Sequence, residues 1–180
     1  MNFLLEYLNV NGILLCNTNP YLPSLEDIGC TWHDVEELID SHRLFYSKVF
    51  KGRTTYLSVE TYYLLKTVRT QKELTKAAEK IYSLLDGNPP ADTTFLKQAS
   101  GLPVKEYREG FDFLLRNLYI TAIENGKKLN ESWSAFYYGT AADWEKYTPG
   151  PALRSNAPER LRQLLSGTMT EKQIQSLMRS

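Results

Sequence analysis

The residues of this 180-residue chain best suited to proton transfer are two carboxylate pairs, Glu26-Asp27 and Glu36-Glu37, and two histidines, His33 and His42. General acid–base chemistry needs such a group held within hydrogen-bond reach of the substrate. Adjacent residues on a helix do not share a face, so each carboxylate pair reads as solvated. His33 follows Trp32 at a helix start and reads as a surface or capping residue. No nucleophile elbow, phosphate loop, dinucleotide fingerprint or zinc-protease motif occurs. Cys16 and Cys30 form no Cys-x-x-Cys, and with two histidines a structural zinc site is not expected. They read as buried thiols. No catalytic residue, metal or cofactor is therefore assigned.

Chemistry that holds phosphate is better represented. Net charge is zero, but residues 1–40 carry seven acidic residues and no Lys or Arg, a net of −7. Residues 41–72 carry seven basic residues against Glu60, a net of +6, and residues 151–180 a net of +3. The basic stretch "HRLFYSKVFKGRTTY" interleaves cations with rings, a mixture that suits nucleic-acid backbones and stacked bases. Its candidates are Lys48, Lys51 and Arg53. The bland alternative puts the rings in the core with the lysine stems lying along it. It also lets the acidic and basic segments neutralise each other.

Further along, "LKQASGLPVKEYREGFDFLLRN" reads as helix, turn and second helix. In the second, Val104, Tyr107, Phe111, Leu114 and Leu118 define a buried face. Lys105, Arg108, Glu109, Asp112 and Arg116 fall on the exposed side. Lys105 and Arg108 stand where a recognition helix meets base edges, and Glu109 and Asp112 would repel phosphate. "YITAIENGKK" adds a strand and an Asn125-Gly126 pair, a strong two-residue hairpin signal. Lys127 and Lys128 are then candidates for a phosphate contact at a wing tip.

The remaining elements must position these groups. Asn2 to Asn9 is a short helix and "GILLCNT" a strand or turn. Ser24 caps a short helix through Gly29. Thr31 caps a helix with Asp34 in a near capping box, and its stripe runs through Val35, Leu38, Ile39 and Leu44 or Phe45 until Gly52. "RTTYLS" is a strand, Ser58 caps "VETYYLLKTVR", and "TQKELTKAAEKIYSLLDG" is amphipathic from Leu74 to Leu85. "SWSAFYYGTA" is the returning strand. Two amphipathic helices, with stripes Leu161, Leu164, Leu165 and Ile174, Leu177, Met178, end the chain. They pack on the body or on a partner. The expected class is α+β, mainly helical: an N-terminal α/β segment at 1–70, a winged helix-turn-helix at 71–148 and a helical tail at 149–180.

With 42% hydrophobic and 12% aromatic residues the chain can bury a real core. No stretch approaches the roughly 20 apolar residues of a membrane span. The first residues lack a basic region and a cleavage site, so they read as core and not as a signal peptide. A cytoplasmic protein with no membrane contact is expected.

The stretch "TWHDVEEL…FYSKVFKGRTTYLSVETYYLL", followed by the helix-turn-helix at 93–117, resembles small bacterial proteins related to the AlkZ and YcaQ winged-helix DNA glycosylases. Its carriers are Thr31-Trp32, Tyr46, Lys48, Gly52, Arg53, Thr55 and Leu57-Ser58, and the likeness spans residues 10–145. The resemblance implies tandem helical and winged-helix elements and a link to DNA repair. Those enzymes use a Gln-x-Gln or Gln-x-Asp motif near the N-terminus, whereas residues 1–70 here contain no glutamine. The only Gln-x-Gln is Gln173-Ile174-Gln175, in the last helix.

The expectation is a non-enzymatic winged-helix protein that binds double-stranded DNA. Lys105, Arg108, Lys127 and Lys128 would make one surface, extended by Lys48, Lys51 and Arg53. Two alternatives stand beside it. One is a protein-interaction module on the same scaffold, with a protein partner or a homodimer through the C-terminal helices. The other is a divergent glycosylase-like enzyme, which would need a cleft of buried carboxylates around Glu26, Asp27 or Glu36.

Overall fold

Short polar caps and tight turns divide the chain. A computed structural model describes residues 2–128, 134–151 and 156–179. The Asn2 side chain accepts from Leu5 N–H and starts α1 (Phe3–Asn11), which stops at Gly12 with φ +82°. Strand β1 (Ile13–Leu15) follows. Ser24 does not cap a helix. It pairs with Leu15 in a parallel bridge, donates from its hydroxyl to Asp27, and residues 25–29 make only a turn. Helix α2 (Trp32–Asp40) has its capping box: Asp34 accepts the Thr31 N–H at 2.7 Å.

The stripe expected to continue through Leu44 or Phe45 instead breaks at Asp40, and β2 (Phe45–Phe50) begins. Phe45, Ser47 and Val49 are buried while Tyr46 and Lys48 are half-buried, a period of two. β2 turns back through Lys51 and Gly52 into β3 (Arg53–Leu57), with Phe50 paired to Arg53. Both turn residues have positive φ, +52° and +68°, the signs of a type I′ hairpin. The sheet order is β1-β3-β2, all antiparallel. Ser58 caps α3 (Val59–Val68), with Glu60 early and Lys66 late, as the helix dipole favours.

Gly52 is required twice. Besides its φ, a Cβ there would lie 2.3 Å from Arg116 Nη2. Gly52→Ala is expected to cost about 1–2 kcal/mol from the left-handed backbone alone. A urea titration reads it, and an unchanged midpoint would refute the assignment.

Thr75 caps α4 (Lys76–Leu85), so Leu74 precedes the helix. Ala91 exchanges two backbone hydrogen bonds with Tyr138, at 3.0 and 2.8 Å. Asp92 caps α5 (Thr93–Ser100); Gly101 and Pro103 lead into α6 (Val104–Arg116). Gly110 lets α6 meet α4 closely, since a Cβ there would stand 2.9 Å from the Ala77 carbonyl carbon. Strands β4 (Ile120–Lys128) and β5 (Ser134–Thr140) are antiparallel. Thr140 then caps α7 (Ala141–Tyr147), a helix the sequence reading did not expect. Helices α8 (Ala157–Leu165) and α9 (Glu171–Arg179) follow.

Asn125-Gly126 is not the hairpin turn. Asn125 sits inside β4 opposite Phe136, and the strands join through 129–133, outside the described residues. Its N–H and side-chain amide donate to Asp40 at 2.8 and 2.7 Å, a tertiary capture that overrides the local turn preference.

One core cluster joins Leu4, Leu14 and Tyr56 to Ile81, Leu114 and Tyr138; the other joins Ile13, Phe45 and Tyr62 to Trp144, Leu161 and Ile174. Both tail helices therefore spend their stripes on the chain's own body. Thr121 links the two sheets: its hydroxyl accepts from Tyr46 N–H and donates to Tyr46 C=O, each at 2.9 Å. No helix of the described residues is long and apolar enough to cross a membrane. Cys16 and Cys30 are free thiols, both half-buried, and burial pushes each up from its ordinary pKa.

Candidate nucleic-acid interface

Helix α6 buries Tyr107, Gly110, Leu114 and Leu115. Val104, expected on that face, is 61% exposed. It is the first helical residue, and the α4 crossing at Gly110 lies six residues on, about 9 Å along the axis. Lys105, Arg108 and Glu109 are exposed as expected.

Asp112 is not a free acid on the outer face. Lys48 Nζ contacts its Oδ1 at 2.6 Å, with both side chains about three-quarters buried. The pair cancels the carboxylate that would have repelled phosphate, and also occupies the first lysine of the basic stretch. One turn further on, the Arg116 guanidinium lies over Gly52. The β2–β3 hairpin therefore abuts the C-terminal half of α6. Residues 105, 108, 112 and 116 follow one another at helical spacing, so Lys105 and the hairpin border one surface, about 10 Å apart along the axis.

At the hairpin tip Lys51 and Arg53 are exposed, and both cations lie over the Tyr21 ring, 4.7 and 5.4 Å from its centroid. Phe50 of the same stretch meets Tyr21 edge-on, while Phe45 and Tyr56 turn into the core. Phe45 is fully buried and stacks on Tyr62 at 4.1 Å; Tyr56 is fully buried. Lys127 and Lys128 lie in β4, but their side chains fall outside the described ones.

The positions considered for proton chemistry do not assemble. Glu26 is exposed, Asp27 accepts from Ser24 N–H at 2.8 Å, and Glu36 faces an exposed His33 at 3.3 Å. Gln173 caps the start of α9 by accepting from Thr170 N–H, and Gln175 donates to Glu171.

A different polar cluster forms where the sequence offered no local sign. A cavity of about 240 Å³ opens between α3, α7 and the turn at 117–119. There Tyr62 Oη donates to Glu145 at 2.6 Å and Lys66 Nζ donates to both its oxygens, at 2.8 and 3.1 Å. Burial, with Glu145 accepting from the phenol, pushes the Tyr62 pKa far above its ordinary value, so it remains a donor. Leu118 at its edge holds φ +62°. Tyr62 and Glu145 are 83 residues apart, which hides the cluster from any motif search. Glu145 accepts from both donors, so the cluster ties α3 to α7.

The family model described as "AlkZ related" matches residues 8–179 of this chain. No curated protein and no solved structure matches it.

Proposed function

Because the chain belongs to the AlkZ-related family, we propose that it is a DNA-binding protein built on a winged helix, without glycosylase chemistry of its own. One observation carries the reading. The reading is supported by the succession α4, the Ala91 bridge to β5, α5, a tight turn, α6 and the β4–β5 hairpin, which follows the order expected of a winged helix. It leaves Lys105 and Arg108 exposed on the first half of α6. Lys51, Arg53 and Arg116 extend the positive surface. Lys48 contributes through Asp112, by silencing an acid. Lys127 and Lys128 would add the wing contact.

The grip is electrostatic, with modest base reading. Glu106 and Glu109 flank the two cations on α6 and are exposed. The Lys105→Ala/Arg108→Ala variant is expected to lose about two units of salt slope, close to 0.9 per phosphate contact, and to bind duplex DNA at least tenfold more weakly at low salt. Fluorescence anisotropy against salt concentration measures both. Wild-type protein that ignores duplex DNA at low salt, or binds it without salt dependence, would refute the proposal.

A protein-interaction role has one observation in its favour. Phe95 is 53% exposed beside Pro89, Pro90 and Tyr137, in an open apolar groove. The tail helices support it less, because Leu161, Leu165 and Ile174 are buried on the chain's own core.

A further inference from the structure

The groove beside the β2–β3 hairpin differs in chemistry from the rest of the candidate surface. It holds about 330 Å³ between the hairpin and α9, and its walls include Tyr21, Phe50, Lys51 and Lys172. No acidic residue lines it among the described residues. Glu171, next to Lys172, is engaged by Arg162 at 2.9 Å. Arg53 approaches the Tyr21 ring, and Arg116 sits on Gly52 next door. Lys51 is held at φ +52°, a conformation a β-carbon disfavours. The tight turn thereby presents its ammonium over the ring, 4.7 Å from the centroid.

Tyr21 is 44% exposed and meets Phe50 edge-on, with centroids 6.1 Å apart. Gripping a duplex backbone requires cations but no exposed ring. An exposed ring among unopposed cations matches the two needs of an unpaired strand, a face on which a base stacks and charge along the phosphates.

We propose that this groove binds an unpaired segment of DNA, one base stacking on Tyr21 and the flanking phosphates pairing with Lys51, Arg53 and Lys172. The proposal rests on the reading that the protein binds DNA, and it names the strand state that the hairpin side takes. On binding, the ammonium of Lys51 exchanges its place over the ring for a phosphate oxygen, and the base takes the vacated face.

The test uses the full chain, a labelled oligothymidylate of about 15 nucleotides, and a blunt duplex of equal length. Tyr21→Ala is expected to weaken the single strand about five- to tenfold and leave the duplex unchanged. Tyr21→Phe restores wild-type affinity. Lys51→Ala/Lys172→Ala lowers the single-strand salt slope by about 1.4, at 0.7 per phosphate. Lys105→Ala/Arg108→Ala weakens the duplex more than the single strand, the reverse of Tyr21→Ala. Absent duplex binding with a Tyr21-dependent single-strand signal would sink the α6 reading and keep this one. The groove proposal falls if wild-type protein ignores the single strand at low salt, or if Tyr21→Ala binds it as wild type does. It also falls if polyglutamate competes as well as oligothymidylate.

Discussion

A chain ending at Pro151 is expected to show no cooperative unfolding transition in urea. Helices α8 and α9 bury Leu161, Leu164, Leu165, Ile174 and Leu177, none more than 4% exposed. At about 1.5–3 kcal/mol for each such side chain, their removal forfeits roughly 8–15 kcal/mol, as much as a whole domain's stability. The loss extends beyond the tail. Gly12 lies under Leu164 and Leu165, and Ile13, Tyr62 and Trp144 belong to the same cluster. Circular dichroism through a urea titration gives the answer, and a sharp native-like transition in the shortened chain would show the tail to be an accessory. The Arg160–Glu60 pair, 2.7 Å and part-exposed, is a minor part of this. Arg160→Ala should shift stability by at most about 1 kcal/mol.

Thr121→Val should destabilise the protein by about 2–6 kcal/mol although it preserves shape. Thr121 is fully buried and its hydroxyl serves both the N–H and the C=O of Tyr46. One side chain thus completes an edge where the β1-β3-β2 sheet meets the β4–β5 hairpin. Valine leaves a donor and an acceptor with little access to water, at about 1–3 kcal/mol each. Thr121→Ser keeps the hydroxyl and should lose about 1 kcal/mol with the methyl group. The comparison of the two midpoints is the test. Equal stability would mean the hydroxyl is not what joins the sheets.

The helix starts at Thr31 and Ser58 are legible because their signals are local, each acting within three residues, whereas Ser24 offers the same kind of signal and starts only a turn. Strand β2 is not legible in this way. Val35, Leu38 and Ile39 set a helical rhythm that Leu44 and Phe45 continue on paper. Only burial reveals that Phe45, Ser47 and Val49 follow a period of two. The hairpin signals were inverted for the same reason. Asn125-Gly126 has the better turn chemistry, yet Asp40 holds Asn125 in a strand, while Lys51-Gly52 makes the tight turn. At the candidate interface, residue types were legible but their partners were not. Lys48 and Asp112 stand 64 residues apart, and their pairing changes the charge of α6 from mixed to mildly positive. Tyr21 carries no signal of its own in "NPYLPS", and acquires meaning only when Lys51 and Arg53 fold over it.

The three hydrogen bonds that Asn125 makes to Asp40 and to the Glu36 carbonyl have a mechanical consequence. They clamp β4 to the last turn of α2 three residues before the strand's end at Lys128, about 10 Å short of it. The described part of β4 is therefore clamped and not hinged, and a load on Lys128 passes torque into α2 through Asn125.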